Sequence, residues 1–421
     1  MRHAFPRGWL VAWLALLWLA GCAAQSPAPA TEASVAEAIQ ARYEAELFTL
    51  PLDKQRHYAQ RLYRISGDAR YVPLTEGHAK RLMLRINEEL DGLAAPDYAA
   101  RRSQALLDAY PTRTAKQRAR HQMFADWGEV IYARRLLFSL VQLDYYGLLG
   151  TPRLAGHERA LDYLAEVDFA AFLSDPQVLS VYAAQVANIV HYLHQLGIVD
   201  LRDEVVGAFR EHYSPARVAT LDVDEYRNRI YGMTHFVIAD SRYYQRDVSA
   251  SEHAWILDAF AAELPRILRD TTEDIMAEVG ISFLLAGQGD HPAVTRLREA
   301  IVAAFDPQAR MIPATDGSTD LERGEHRNVL AIMLLRWPVQ LHPGPDLSDA
   351  LGEAPLAGRW PSRWVDLQRF QPVAVGGERI AEHRLALEPA ARPGPLPAAP
   401  AVAQRHAQRD GAVAGVEHAA R

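Results

Sequence analysis

From Val35 to Trp337 apolar residues return every three or four positions, the spacing of one helical face, and strand-like alternation is scarce. The pattern predicts an all-α protein. The predicted helices alternate in character. One set is amphipathic and charged, near 53–66, 97–109, 155–173, 199–213, 251–269 and 291–305; the other, near 76–93, 117–148, 177–197, 225–245, 271–286 and 323–336, is apolar around more of its circumference. Helices apolar on most faces are buried and those with one apolar stripe lie at the surface, so the two sets predict an inner and an outer ring. Midpoints of the apolar set, near Met83, Arg134, Ala187, His235, Val279 and Leu330, recur at roughly 44 to 53 residues, the period of a repeated helical hairpin. Six hairpins would close as an (α/α)6 toroid, with five hairpins or a curved solenoid as alternatives. Asp175-Pro176 and the run from Ala286 to Pro292 supply helix breakers between the proposed elements.

The two ends of the chain follow other patterns. Arg2 and Arg7 precede an apolar run from Trp9 to Ala20 that closes on Leu19-Ala20-Gly21-Cys22. A basic start, a short apolar stretch and small exit residues describe a secretory signal, and the run falls short of the ~20 apolar residues needed to cross a bilayer. The Leu-Ala-Gly-Cys ending is similar to a bacterial lipobox, which implies acylation of Cys22 after removal of residues 1–21. The expected organisation is then a flexible tether over 22–34, the toroid over 35–343, an irregular cap with short strands over 344–387 and a disordered Ala/Pro/Arg/Gly tail over 388–421.

Composition narrows the chemistry. Cys22 is the single cysteine, so no internal disulfide forms and, once acylated, no thiol is left for catalysis or metal binding. A net charge of −7 and the lack of a polybasic run argue against nucleic acid and anionic lipid as partners, leaving the acyl chains as the hold on the membrane. The expected address is the cell envelope, at the outer membrane facing the periplasm. No cofactor is called for, and the oligomeric state is open.

Candidate reactive groups concentrate in two stretches, YGMTHFVIADSRYYQ from Tyr231 to Gln245 and ERGEHRNVLAIMLL from Glu322 to Leu335. Each sets polar residues into an apolar helix, where burial costs free energy unless partners are found. We read them as facing walls of one site. Tyr231, His235 and Arg242 share a helical face, whereas Asp240, at i+5 from His235, points elsewhere on an ideal helix. Glu325, His326, Arg327 and Asn328 open the second stretch. Glu278 lies among Ile275, Ile281 and Leu285, where burial would raise its pKa and suit it to proton donation. The candidate catalytic groups are therefore His235, Asp240, Glu278, Glu325 and His326, and the candidate substrate-binding groups are Tyr231, Asp126, Trp127, Arg327 and Asn328. Trp127 beside Asp126 suits a sugar platform. His191 and His194 stand at i and i+3, yet without a third ligand or an HExxH pattern they do not define a metal site. The segment from Phe305 to Glu322 is expected to act as a rim carrying Thr315, Asp316, Ser318 and Asp320.

YGMTHFVIADSRYYQ and STDLERGEHRNVLAIMLLRW resemble segments of an uncharacterised bacterial family, domain of unknown function 3541, over roughly Arg118 to Pro343. That family brings no activity with it. The hairpin period is also similar to the toroids of glycoside hydrolases, polysaccharide lyases and epimerases, a likeness of fold that says little of function. The expectation is an envelope lipoprotein whose toroid binds, and cleaves, a carbohydrate or cell-wall glycan. A hydrolase would use Asp240, Glu278 and Glu325 as acid and base. A lyase would use His235 or His326 to take a proton alpha to a uronate, with Arg327 and Asn328 stabilising the charge. The alternative is a non-catalytic scaffold or binding lipoprotein that uses the concave face.

Overall fold

The structure is a computed structural model that describes residues 30–352. Cys22, the signal and most of the tether lie outside the described residues, as do the region expected to hold short strands and the C-terminal tail. Among the described residues the chain is all-helical, with no strand beyond an isolated bridge between Asp306 and Met311. None of these helices is long and apolar enough to cross a membrane.

In chain order the helices are α1 (Glu32–Glu46), α2 (Leu52–Ser66), α3 (Val72–Gly92), α4 (Tyr98–Asp108), α5 (Ala115–Asp126), α6 (Val130–Tyr145), α7 (His157–Glu166), α8 (Phe169–Ser174), α9 (Pro176–Gln195), α10 (Arg202–His212), α11 (Pro215–Val218), α12 (Val223–Asp240), α13 (Ala254–Asp270), α14 (Glu273–Leu285), α15 (Pro292–Ala303), α16 (Leu321–Leu335) and α17 (Ser348–Leu351). Their ends are chemically marked. Thr31, Thr114 and Asp222 form capping boxes at α1, α5 and α12, and Asp320 caps α16 through the Arg323 amide at 3.0 Å.

The inner helices pack in succession: α2 on α3, α3 on α6, α6 on α9, α9 on α12, α12 on α14, and α14 on α16. Then α16 packs against α2. The neighbour relations thus return to their start, which is compatible with the expected toroid. Helices α1, α4, α5, α10, α13 and α15 lie against this circuit from outside or at its rim.

Three sequence expectations change. The stretch 53–66, assigned to the outer ring, is α2 and belongs to the inner circuit, with Lys54, Arg61 and Arg64 all buried. Its charges face a polar interior rather than solvent. The helix expected over 117–148 breaks into α5 and α6 at Gly128, whose φ of 53° suits a residue without a side chain. The helix expected over 225–245 stops at Asp240, and Arg242, Tyr243 and Tyr244 then take φ of 51°, 57° and 70°.

That left-handed turn contains no glycine, so each residue costs on the order of 1–3 kcal/mol and the surroundings must hold it. Arg64 Nη1 donates to the Tyr243 carbonyl at 2.6 Å, and the Tyr244 amide donates to Ser241 Oγ at 2.8 Å. Helix α9 is also distorted, with Tyr182 at φ −136° and ψ 21°. The carbonyls freed around it accept from Asn228 (Leu179 and Ser180) and Arg120 (Val181).

The closest helix pair, α9 with α12, meets at Gly232. A methyl group there would stand 2.8 Å from Ala183 Cβ and 2.9 Å from the Phe209 ring. Gly232→Ala is therefore expected to destabilise the fold by about 1–3 kcal/mol through overpacking, beyond any gain in helix propensity. A denaturant titration that finds it neutral or stabilising would show that the contact is looser than described.

Candidate functional site

The site is built from four inner helices whose polar residues meet across the ring. Helix α14 contributes Glu278, only 1% exposed among Ile275, Ile281 and Leu285. Its two carboxyl oxygens face two imidazoles, His235 Nε2 of α12 lying 3.8 Å from Oε2 and His326 Nε2 of α16 lying 3.6 Å from Oε1. The stretches Tyr231–Gln245 and Glu322–Leu335 thus meet through a third helix.

The Thr234 hydroxyl, 2.9 Å from the Tyr231 carbonyl and 2.7 Å from Glu278 Oε2, has a single proton to share between these two acceptors. Burial, the largest influence on Glu278, raises its pKa, while His235 and the Thr234 hydroxyl pull it toward the carboxylate.

His235 is held from the other side. Its Nδ1 lies 2.9 Å from Asn188 Oδ1, an acceptor, so Nδ1 carries the hydrogen and Nε2 keeps its lone pair. Nε2 has no hydrogen-bond partner. Burial lowers the imidazole to about 4, against the pull of Glu278, so it is neutral at neutral pH. The Tyr231 ring meets it edge to face at 4.5 Å, and the left-handed turn brings the Tyr243 ring to 6.3 Å. Burial pushes the Tyr243 hydroxyl up to about 12, opposed by Tyr192, Arg61 and Asn188.

A second dyad adjoins the first. Glu325 of α16 is fully buried; its Oε1 meets His57 Nδ1 at 2.6 Å and its Oε2 meets Lys54 Nζ at 3.5 Å, both partners coming from α2. Burial raises Glu325 and lowers His57 well below 6.5, while Lys54 draws Glu325 back toward the carboxylate. His57 Nε2 then lies 3.4 Å from His326 Nδ1, so a chain of groups runs from Glu325 through His57 and His326 to Glu278 and His235. His326, lowered to about 4 chiefly by burial, keeps 21% of its side chain exposed and His57 keeps 14%.

Sequence reasoning missed Lys54, His57 and Arg61, which lie at i, i+3 and i+7 on one face of α2. Arg61 is 7% exposed, has no ion-pair partner among the described residues, leaves its Nε without a hydrogen bond there and sits 5.7 Å over the Tyr244 ring. Its charge bears on His57, His235, His326, Glu278 and Glu325, which puts it at the centre of the group. The spacing was visible, but on an amphipathic helix it reads as a solvated stripe.

Other expected site residues lie apart from this cluster. Asp240 binds His253 Nε2 and Arg246 Nη2, each at 2.9 Å, and these partners hold it at about 2 although burial opposes them. It fastens the end of α12 to the start of α13. Arg327 pairs with Glu273 at 3.2 Å and donates to the Pro313 carbonyl; Asn328 bonds to the amide and carbonyl of Ile312 and to the Gly324 carbonyl. Both residues fix the loop before α16. Asp126 is exposed and accepts from Gln122, while Trp127 packs on Phe172 at 5.4 Å. In the rim segment Asp316 pairs with Arg323 and Asp320 is a helix cap. His191 packs on Phe236 near Asp240, and His194 faces Asp200 at 3.4 Å. Among the described residues no group of His, Cys, Asp and Glu is arranged to hold a metal ion. A surface cleft of about 530 Å³ between Phe209, Tyr213, Arg229 and Trp255 lies elsewhere, with Arg229 already paired to Glu263 at 2.9 Å.

Fold and site together define an all-helical protein with paired carboxyl–imidazole groups at the centre of a ring of helices. The chain belongs to the family described as domain of unknown function (DUF3541), whose pattern matches residues 32–354. No curated protein and no solved structure matches the chain.

The buried imidazoles predict an acid-sensitive fold. His235 and His326 titrate at about 4 and His191 at about 3, against 6.5 for a free imidazole. Between those values the unfolded chain binds more protons than the folded one, so stability falls as pH falls. Glu278 and Glu325, raised by burial, act in the opposite sense, but His57, His78 and His212 are lowered as well, so the imidazoles outnumber them. The thermal midpoint is expected to drop steadily from pH 6.5 to about 4; one that rises over this range would contradict the assignment.

Proposed function

We propose that the protein binds an acidic carbohydrate chain at the centre of the ring and cleaves it by elimination. The reading rests on one observation: two imidazoles, His57 and His326, keep 14% and 21% of their side chains exposed, while the carboxyls they back onto are closed off, Glu278 at 1% and Glu325 at 0% exposure. Hydrolysis by a carboxylate pair requires both carboxyls to flank the scissile bond. Here they back imidazoles instead, an arrangement suited to a neutral general base.

In the proposed reaction His235 Nε2 takes the proton from the carbon alpha to a uronate carboxylate. The electron pair left behind forms a carbon–carbon double bond as the neighbouring glycosidic C–O bond breaks, and the departing oxygen takes a proton from the Tyr243 hydroxyl. Asn188 Oδ1 accepts from Nδ1 and fixes the ring, and Glu278 lies beside the forming imidazolium, 3.8 Å from Nε2. Arg61, without a carboxylate of its own, offers its charge to the substrate's carboxylate as negative charge builds there. His235 and Tyr243 recover their starting protonation through solvent. Arg327 and Asn328, engaged in structural bonds, take no part.

The lipobox ending at Cys22 supports an anchored protein of the bacterial envelope, with the tether setting the ring's reach from the membrane.

Polygalacturonate and alginate oligosaccharides are the substrates to test, with the ultraviolet absorbance of the unsaturated uronate as readout. His235→Ala is expected to lower kcat by ~10²–10⁴, the usual contribution of a general base. The reading fails if acidic glycans are not turned over, or if His235→Ala turns them over at the wild-type rate.

A further inference from the structure

We infer that the ring carries an extended anion-binding track, from Arg61 on α2 across α3 to α6, that accommodates a polymeric acidic polysaccharide along several consecutive charged residues. The inference deepens the proposed function, because it makes the substrate a chain rather than a single uronate.

The geometry supplies the first support. Helix α3 sets His78, Arg81 and Arg85 at i, i+3 and i+7, one stripe on a helix packed between α2 and α6, and α6 adds Arg134 and Arg135. Among the described residues none of Arg61, Arg81, Arg85, Arg134 and Arg135 has a carboxylate within ion-pair distance, although elsewhere arginines such as Arg102, Arg229 and Arg246 are paired. Two of them sit deep enough to leave a guanidinium nitrogen buried without a partner, Arg61 Nε and Arg134 Nε. Arg134 lies 5.0 Å over the Phe124 ring and 5.6 Å over Tyr182, which fixes its direction without neutralising it.

The second support is the continuity of the charge. Arg61 repels Arg56, Arg56 repels a protonated His78, Arg81 and Arg85 do the same, and Arg85 acts on Arg135. Burial is the largest influence in each case; it lowers His78 to about 2 and lowers Arg81 and Arg135 from the ordinary guanidinium value. The carboxylate that acts on Arg135 is Glu89 of α3, already paired with Arg102. Arg61 and Arg134, each with Nε buried and without a partner among the described residues, are costly to the free protein, and a ligand bearing anions offsets that cost.

The ligand is assigned as a glycan because the track ends among tyrosines and imidazoles, with Tyr243 and Tyr244 beside Arg61. The part-exposed Tyr243 would offer its ring to the C–H face of a sugar, while the buried Tyr244 backs Arg61.

Calorimetric titration of the full chain tests the inference, using polygalacturonate, alginate and hyaluronan against galacturonate monomer, neutral dextran, poly-glutamate and single-stranded DNA. At least one acidic polysaccharide should bind more tightly than the monomer and dextran, with affinity falling steeply between low and physiological salt. Arg81→Gln/Arg85→Gln, at positions outside the reacting groups, should weaken that binding by ~10-fold or more with little change in thermal midpoint. Equal binding by the double variant, equal binding of poly-glutamate or DNA, or no binding of the three acidic polysaccharides would overturn the track. Binding that depends on Arg81 and Arg85 without any cleavage would leave the track standing and sink the elimination reading. Cleavage unaffected by the double variant would do the reverse.

Discussion

A fully buried carboxylate must find positive charge or give up its own, and Glu325 is the group on which this ring of helices depends. It sits on α16, the last long helix of the circuit, and its partners Lys54 and His57 come from α2, near the start of the chain. The demand for charge compensation therefore brings together two segments more than 260 residues apart in sequence. Loss of one member of such a pair costs about 3–5 kcal/mol, so ring closure is an electrostatic requirement as well as a packing outcome. The same closure brings the His57 ring to 5.2 Å from the His326 ring, tilted by 48°, which makes the fold's seam one wall of the site.

Burial then sorts the reactive groups by layer. The carboxyls of Glu278 and Glu325 lie deepest, and burial favours their neutral forms; the imidazoles above them are kept neutral by the same desolvation.

The hydrophobic period made the inner helices α9, α12, α14 and α16 legible, and their interrupted apolar faces pointed to His235, Glu278, Glu325 and His326. Helix α2 was not legible on the same criterion. An inner helix that lines a polar concavity has the periodicity of an outer one, so Lys54, His57 and Arg61 passed for a solvated face. Arg327 and Asn328 failed for a geometric reason: adjacent residues on a helix diverge by about 100°, so four in a row cannot all face one site. Glu325 and His326 turn toward α2 and α14, and the next two residues turn toward the loop at Ile312 and Pro313. The turn at Arg242–Tyr244 carries no glycine to announce a left-handed backbone. It depends on Arg64, which reaches it from another helix.

The central claim is that the Lys54–Glu325 contact couples ring closure to the site, and a double-mutant cycle on stability addresses it directly. Lys54→Met and Glu325→Leu would be made singly and together and unfolded by denaturant. The account predicts that each single change is strongly destabilising and that the pair is less so than their sum, with a coupling of ~0.5–3 kcal/mol. Additive losses, or single variants as stable as the wild type, would contradict it.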